Sequence, residues 1–380
     1  MHDTPDQNWK ALESKLGLTE LHGFIESEVR PQLSDVHTKE AGQDGVPKSI
    51  KRATIIGFLV FIASFMVIES LMPSTVVAGV LTFVIFPVLF LAVAAAMVYF
   101  IRHQLAELIE NAQHNFLIRT RVLGLIASRL DMQYVANPGG LSKILKSFAS
   151  WKFCPASIRE AAAFMESHKG LDLQSEAIRR SGLAMSSDLV LGSKETKAKA
   201  YDQAQDNLQF QDGFAGTRSG ISFAVMEWEE QRDDFSYHHL LIHLKLPHRL
   251  TGWVEFKNKP SGWPHSRPGA PLKPVGIPYS PFAKAYDVRA SDQVEARLVF
   301  DPRVIDQLSK IALDNPARGV AFEDHLVIDI RGDNRFDIVN IASGRWSDES
   351  IHKTLNDISQ MFDLIDSAAK GFGVKASRAA

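Results

Sequence analysis

Apolar positions along the chain fall into three rhythms, and each predicts a different kind of element. Two long runs, Ala53–Met72 and Val76–Ile101, are almost continuously apolar; between Ala53 and Ile101 there is no Lys or Arg and the one charged residue is Glu69. Each run reaches the roughly 20 helical residues that a bilayer core requires, so the pattern predicts a hairpin of two transmembrane helices, the second kinked at Pro87. A three-to-four spacing marks the second rhythm. Trp9, Leu12, Leu16, Leu21, Phe24, Ile25 and Val29 predict an amphipathic helix over Asp6–Leu33, interrupted near Gly23. Leu105, Leu108, Ile109, Ala112, Phe116, Val122, Leu123, Ile126 and Leu130 predict another, running to the breaker Asn137-Pro138-Gly139-Gly140. If unbroken over 103–136 it would project roughly 50 Å. Packing these two stripes together as a stalk buries both.

The third rhythm alternates. Ile221, Phe223 and Val225 predict one strand, and HHLLIHLKLP predicts the next. There Leu240, Ile242, Leu244 and Leu246 face one way and His239, Leu241, His243 and Lys245 the other. The acidic Glu229–Asp234 stretch joins these two as a hairpin. TGWVEFKN, VEARLVF and HLVIDIRG predict further strands. Helices are predicted over IREAAAFMES behind Ser157, over Pro302–Leu313 with Asp301 as its cap, and over roughly Asp348–Lys370. Strands followed by segregated helices indicate α+β with a mainly antiparallel sheet. The organisation expected is 1–50 as N-terminal helix and linker, 51–102 as the membrane hairpin, 103–140 as the stalk, and 141–380 as an α+β domain with a proline-rich loop at 260–281.

Charge changes this picture in two ways. The flanks of the apolar pair carry Lys48, Lys51, Arg52, Arg102 and His103, whereas the turn Glu69–Thr75 carries no basic residue. The positive-inside rule then places both termini in the cytoplasm and predicts a multi-pass protein of the inner membrane, with the lipid bilayer as its first partner. The totals, 42 Lys+Arg against 44 Asp+Glu, offer no basic footprint for nucleic acid. Cys154, the single cysteine, allows no intramolecular disulfide and reads as a small buried residue.

The block KAYDVRASDQVEARLVFDPRVIDQLSKIA, followed by GVAFEDHLVIDI, resembles the signature region of the bacterial membrane-protein family known as domain of unknown function 3137. The matching positions are Tyr286, Asp292, Glu295, Ala296 and Arg297; upstream, RRSGLAMSSDLVLGSKETKAKAYDQ is similar at Asp188 and Gly192. The resemblance implies a Tyr-containing strand, a Glu-Ala-Arg strand and a helix begun by proline, and a bacterial source. It implies no activity and no role for Tyr286, Asp292, Glu295 or Arg297.

Candidate chemistry is sparse. As strand residues, Glu295 and Arg297 would share a face and pair with neighbouring strands. His239 and His243 would stand about 13 Å apart on a strand, too far for one metal ion, and no other spacing supplies a ligand set. Gly213, Gly216 and Gly220 read as a turn, without the lysine or following helix of a phosphate loop. No GxSxG elbow is present. Neither a cofactor nor a metal is expected. The reading is a membrane-anchored binding or scaffold module whose α+β domain takes a protein partner or a small ligand without chemistry of its own, and which meets a protein partner or a second copy of itself through the stalk. The rival is an enzyme assembled from distant segments around His239, His325 or Asp329. Conduction is disfavoured, because two spans with one peripheral acid offer no polar pathway.

Overall fold

The computed structural model describes residues 5–36, 99, 109–136, 209–232, 235–259, 271–277, 280–312, 315–341 and 343–374. Among the described residues, nine antiparallel strands form one sheet in the order β1-β2-β3-β4-β9-β8-β5-β7-β6. They are β1 (Met132–Val135), β2 (Gln209–Arg218), β3 (Ile221–Arg232), β4 (Phe235–Lys245), β5 (Trp253–Asn258), β6 (Lys273–Pro274), β7 (Tyr286–Ala290), β8 (Ala317–Phe322) and β9 (His325–Gly332). Helices α1 (Pro5–Leu16), α2 (Leu21–Phe24), α3 (Arg30–Leu33), α4 (109–129), α5 (Ser280–Ala285), α6 (Gln293–Val299), α7 (Pro302–Ala312) and α8 (Asp348–Gly371) complete the described elements.

Alternation along β4 divides the sheet as its sequence predicts. Leu240, Ile242 and Leu244 bury into the main core with Phe223, Val225, Ile328, Ile330, Phe256 and the inner faces of α7 and α8. The opposite face is buried too around Met226, Trp228, Leu241, Val320, Phe322 and Val327. β2 and β3 meet at Ser219-Gly220, both with positive φ (50° and 77°), the geometry of a tight two-residue hairpin that glycine adopts without steric cost. α8 opens on a reciprocal cap: the Ser347 hydroxyl accepts the Ser350 N–H, and the Ser350 hydroxyl accepts the Ser347 N–H.

The N-terminal stripe breaks over Gly17–Glu20, not at Gly23, and resumes through a π turn, Ile25–Val29, into α3. Pro31, which has no N–H to donate, follows that turn. These helices lie against α4. Arg129 covers the Phe24 ring at 5.8 Å and donates to the Thr19 carbonyl at 3.0 Å, and Arg121 donates to Gln32 at 2.9 Å. Both layers also join the rest of the fold: Trp9 meets His352 edge-on at 5.4 Å, Arg30 pairs with Asp348 at 2.7 Å, and Asn115 donates to the Ile341 carbonyl. So α4 runs beside the α+β core instead of projecting from it.

Four sequence expectations are corrected. The apolar runs predict a transmembrane hairpin, but among the described residues no helix is long and apolar enough to cross a membrane. Apart from Tyr99, both runs lie outside those residues. The fold class becomes an α+β unit on a nine-stranded sheet, and the multi-pass, inner-membrane assignment drawn from the hairpin is withdrawn with it. Second, VEARLVF is the helix α6, not a strand. Third, Gly213 and Gly216 are strand residues of β2, so of GFAGTRSG only Ser219-Gly220 makes the turn; fourth, the helical reading through 136 gives way to β1 after Leu130. Beneath β2, Gly216 lies against the Phe223 ring, which a Cβ there would approach to 3.3 Å. Also outside the described residues are the 42–47 linker, the 137–140 breaker, the helix behind Ser157, Cys154, Asp188 and Gly192.

Candidate functional site

The four signature residues converge on the junction of β7 and α6. Tyr286, at the start of β7, is buried; its ring stacks on Phe282 at 4.6 Å and meets Phe256 edge-on at 5.8 Å. Burial pushes its hydroxyl pKa up to about 12, against an opposing hydrogen bond from Asn258. Asp292 is extended and caps α6, accepting the Val294 N–H at 2.7 Å and the Glu295 N–H at 3.0 Å. Glu295 turns back to the loop between β4 and β5. One oxygen accepts the Thr251 N–H at 2.7 Å and its hydroxyl at 2.8 Å; the other accepts the Gly252 N–H at 2.7 Å. Ser291 bridges the same place, its hydroxyl accepting the Trp253 N–H at 2.8 Å.

On the inner side of α6, Ala296 and Val299 are buried, and Phe300 beyond them packs edge-on to Phe256 at 5.5 Å. The outer side carries Val294, 75% exposed, Leu298, 37% exposed, and the exposed Arg297. Val294 and Leu298 are four apart and therefore neighbours on the helix surface. The expected pairing of Glu295 and Arg297 on one strand face is thus replaced: on a helix the first points in to backbone amides and the second out to solvent.

The histidines sort into two separate groups on the other face of the sheet. Asp329 lies fully buried and accepts from Trp228 Nε1 at 3.1 Å and Arg318 Nε at 3.0 Å, with His239 Nδ1 also at 3.0 Å. The Trp228 and His239 rings stack at 4.0 Å. Burial opposes ionisation of Asp329, but His239 and Arg318 outweigh it and hold the carboxyl below its usual range. His243 Nε2 meets His325 Nδ1 at 3.1 Å, and His325 Nε2 meets Asp324 at 3.2 Å.

Glu323, Asp324 and His325, at the hairpin between β8 and β9, bring three potential ligand atoms within 4.8 Å of one another. This is a donor set that could hold a cation, and consecutive residues at a hairpin tip give no spacing signal in the sequence. Lys245 and Arg249 stand 3.8 Å from the two carboxylates and already balance their charge, which favours an ion-pair cluster.

An α+β unit whose signature residues fix a surface helix is what the geometry defines. Residues 254–369 match the family described as Protein of unknown function (DUF3137), so the resemblance carried by Tyr286, Asp292, Glu295 and Arg297 holds over that stretch. No curated protein matches. Among solved structures, the mycobacterial trehalose monomycolate transport factor A, TtfA, is similar over 42% of this chain and 75% of that one, at 11% identity and a TM-score of 0.26; so low a likeness carries no argument.

Proposed function

We propose that this chain is a protein-binding module and that α6 is its docking element. One observation carries the reading. Two signature residues, Asp292 and Glu295, hold α6 in place, while Val294, Arg297 and Leu298 are turned outward. An apolar pair beside a cation on a fixed helix suits a partner surface that is apolar with an acidic group. Fixing the helix in advance lowers the ordering cost of binding.

Catalysis around His239 and Asp329 finds less support. Both side chains are buried, and each Asp329 oxygen is already held by protein donors. That arrangement orients a core more readily than it receives a substrate.

The test places a photo-crosslinking amino acid at Val294 in the full chain in cells. A discrete adduct with another protein is expected, and Leu298→Glu or Arg297→Glu should abolish it. Because these positions are exposed, the variants should keep the parent stability to within about 0.5 kcal/mol. A smear, an adduct indifferent to both substitutions, or an adduct of twice the chain mass would overturn the proposal, the last by identifying a second copy as the occupant.

A further inference from the structure

A second polar cluster lies on the main-core side of the sheet, where α4 crosses β1, β2 and β3. Arg119 of α4 pairs with Asp212 of β2 and, at 3.2 Å, with Asp337 of the connection between β9 and α8. Tyr134 of β1 adjoins them. Glu227 of β3 faces the same group and is 2% exposed. Its Oε1 accepts the backbone N–H groups of Arg335 and Phe336, whereas its Oε2 is buried with no hydrogen-bond partner among the described residues. The nearby cations are already committed: Arg119 to two aspartates, and Arg335 to Asp357 of α8 at 3.2 Å. From β4, the register partner of Glu227 is the apolar Leu240, and His238 acts on Asp337 from a distance.

Three carboxylates therefore surround one guanidinium in a buried setting. Two of them are in contact with it. The third, if ionised, would be a buried charge with no contacting counterion and one oxygen without a donor, the situation proteins avoid by keeping the group neutral. We propose that Glu227 holds a proton in the folded chain at neutral pH and that its ionisation loosens the seam between α4 and the 333–341 connection. The proton makes that seam pH-sensitive. Asn115, donating to the Ile341 carbonyl, and Thr354, donating to the Arg335 carbonyl, hold the same connection from α4 and α8. Burial pushes the Glu227 carboxyl up to about 8, in keeping with the geometry, although the Arg335 N–H and Arg119 pull it down.

The sign follows from proton counting. Between the ordinary value of 4.5 and about 8 the folded chain holds a proton that the unfolded chain has released. Stability therefore falls as pH rises through that window, by up to roughly tenfold in the unfolding constant per pH unit. Glu227→Gln keeps the acceptor for the two amides and cannot ionise. Denaturant unfolding of the purified full chain from about pH 5 to about pH 9 should give a descending curve for the parent relative to the Gln variant. Amide protection over 335–341 should fall above about pH 8 in the parent alone. Parallel stability curves, or unchanged protection, would overturn the proposal. Should the Gln variant not fold, the infrared carbonyl band of a protonated acid in the parent, labelled at glutamate, decides: its presence at neutral pH and loss at alkaline pH support the assignment, and its absence at neutral pH overturns it.

Discussion

His243 is half-buried on β4, and burial together with the neighbouring His325 lowers its pKa to about 4 from an ordinary 6.5. The unfolded chain thus binds a proton between those values that the folded chain refuses. Its contribution to stability is complete above about pH 6.5 and is lost as pH falls toward about 4, the reverse of the Glu227 slope. His243→Gln should flatten the acid limb of a stability–pH curve. A limb unchanged in that variant would show that another group carries it. Both His239 and His243 lie on β4, where strand spacing sets them apart as the sequence reading expected. The rival reading grouped His239 with His325 and Asp329, but no spacing paired them: Asp329 lies 90 residues from His239, and His325 lies 82 from His243. Only the pairing of β4 with β9 brings them together.

At the scale of the element, α6 shows how two periodicities compete in a short segment. Val294, Ala296, Leu298 and Phe300 alternate as a strand would, while Ala296, Val299 and Phe300 also form the inward side of a helix. The deciding signal was present in Asp292 followed three residues later by Glu295, an N-terminal signature that the alternation outweighed. Asp292→Ala should cost about 1 kcal/mol by releasing the first turn. Glu295→Ala removes the acceptor of three hydrogen bonds and should cost about 1–3 kcal/mol. Arg297→Ala should stay within about 0.5 kcal/mol. Denaturant midpoints rank the three, and a large loss at Arg297 would contradict the outward placement of that side chain. β2 was hidden for another reason: its glycines read as punctuation, yet Gly216 serves as a strand residue roofed by Phe223.

Across the whole molecule, apposition of the N-terminal stripe with the α4 stripe was legible, because both needed an apolar surface to cover. That the pair would itself join α8 was not, since Trp9–His352 and Arg30–Asp348 link positions more than three hundred residues apart. Deleting residues 1–36 should remove Leu12, Leu16, Leu21, Ile25, Val29 and Leu33 from the main core and cost several kcal/mol, at about 1.5–3 kcal/mol per large side chain uncovered. An unfolding midpoint equal to that of the full chain would mean this layer is dispensable. The family-matched stretch, 254–369, contains β9 but not β4, the strand that covers one of its edges. Order of synthesis gives this a consequence. β4 emerges from the ribosome paired on one side with β3, and its other edge must wait for the chain to reach His325. At 5–20 residues per second, the 82 residues from His243 to His325 take about 4–16 s. For that interval the nascent chain presents an open, leucine-rich strand edge to whatever lies nearby, which makes β4 the point at which a chaperone would shield it.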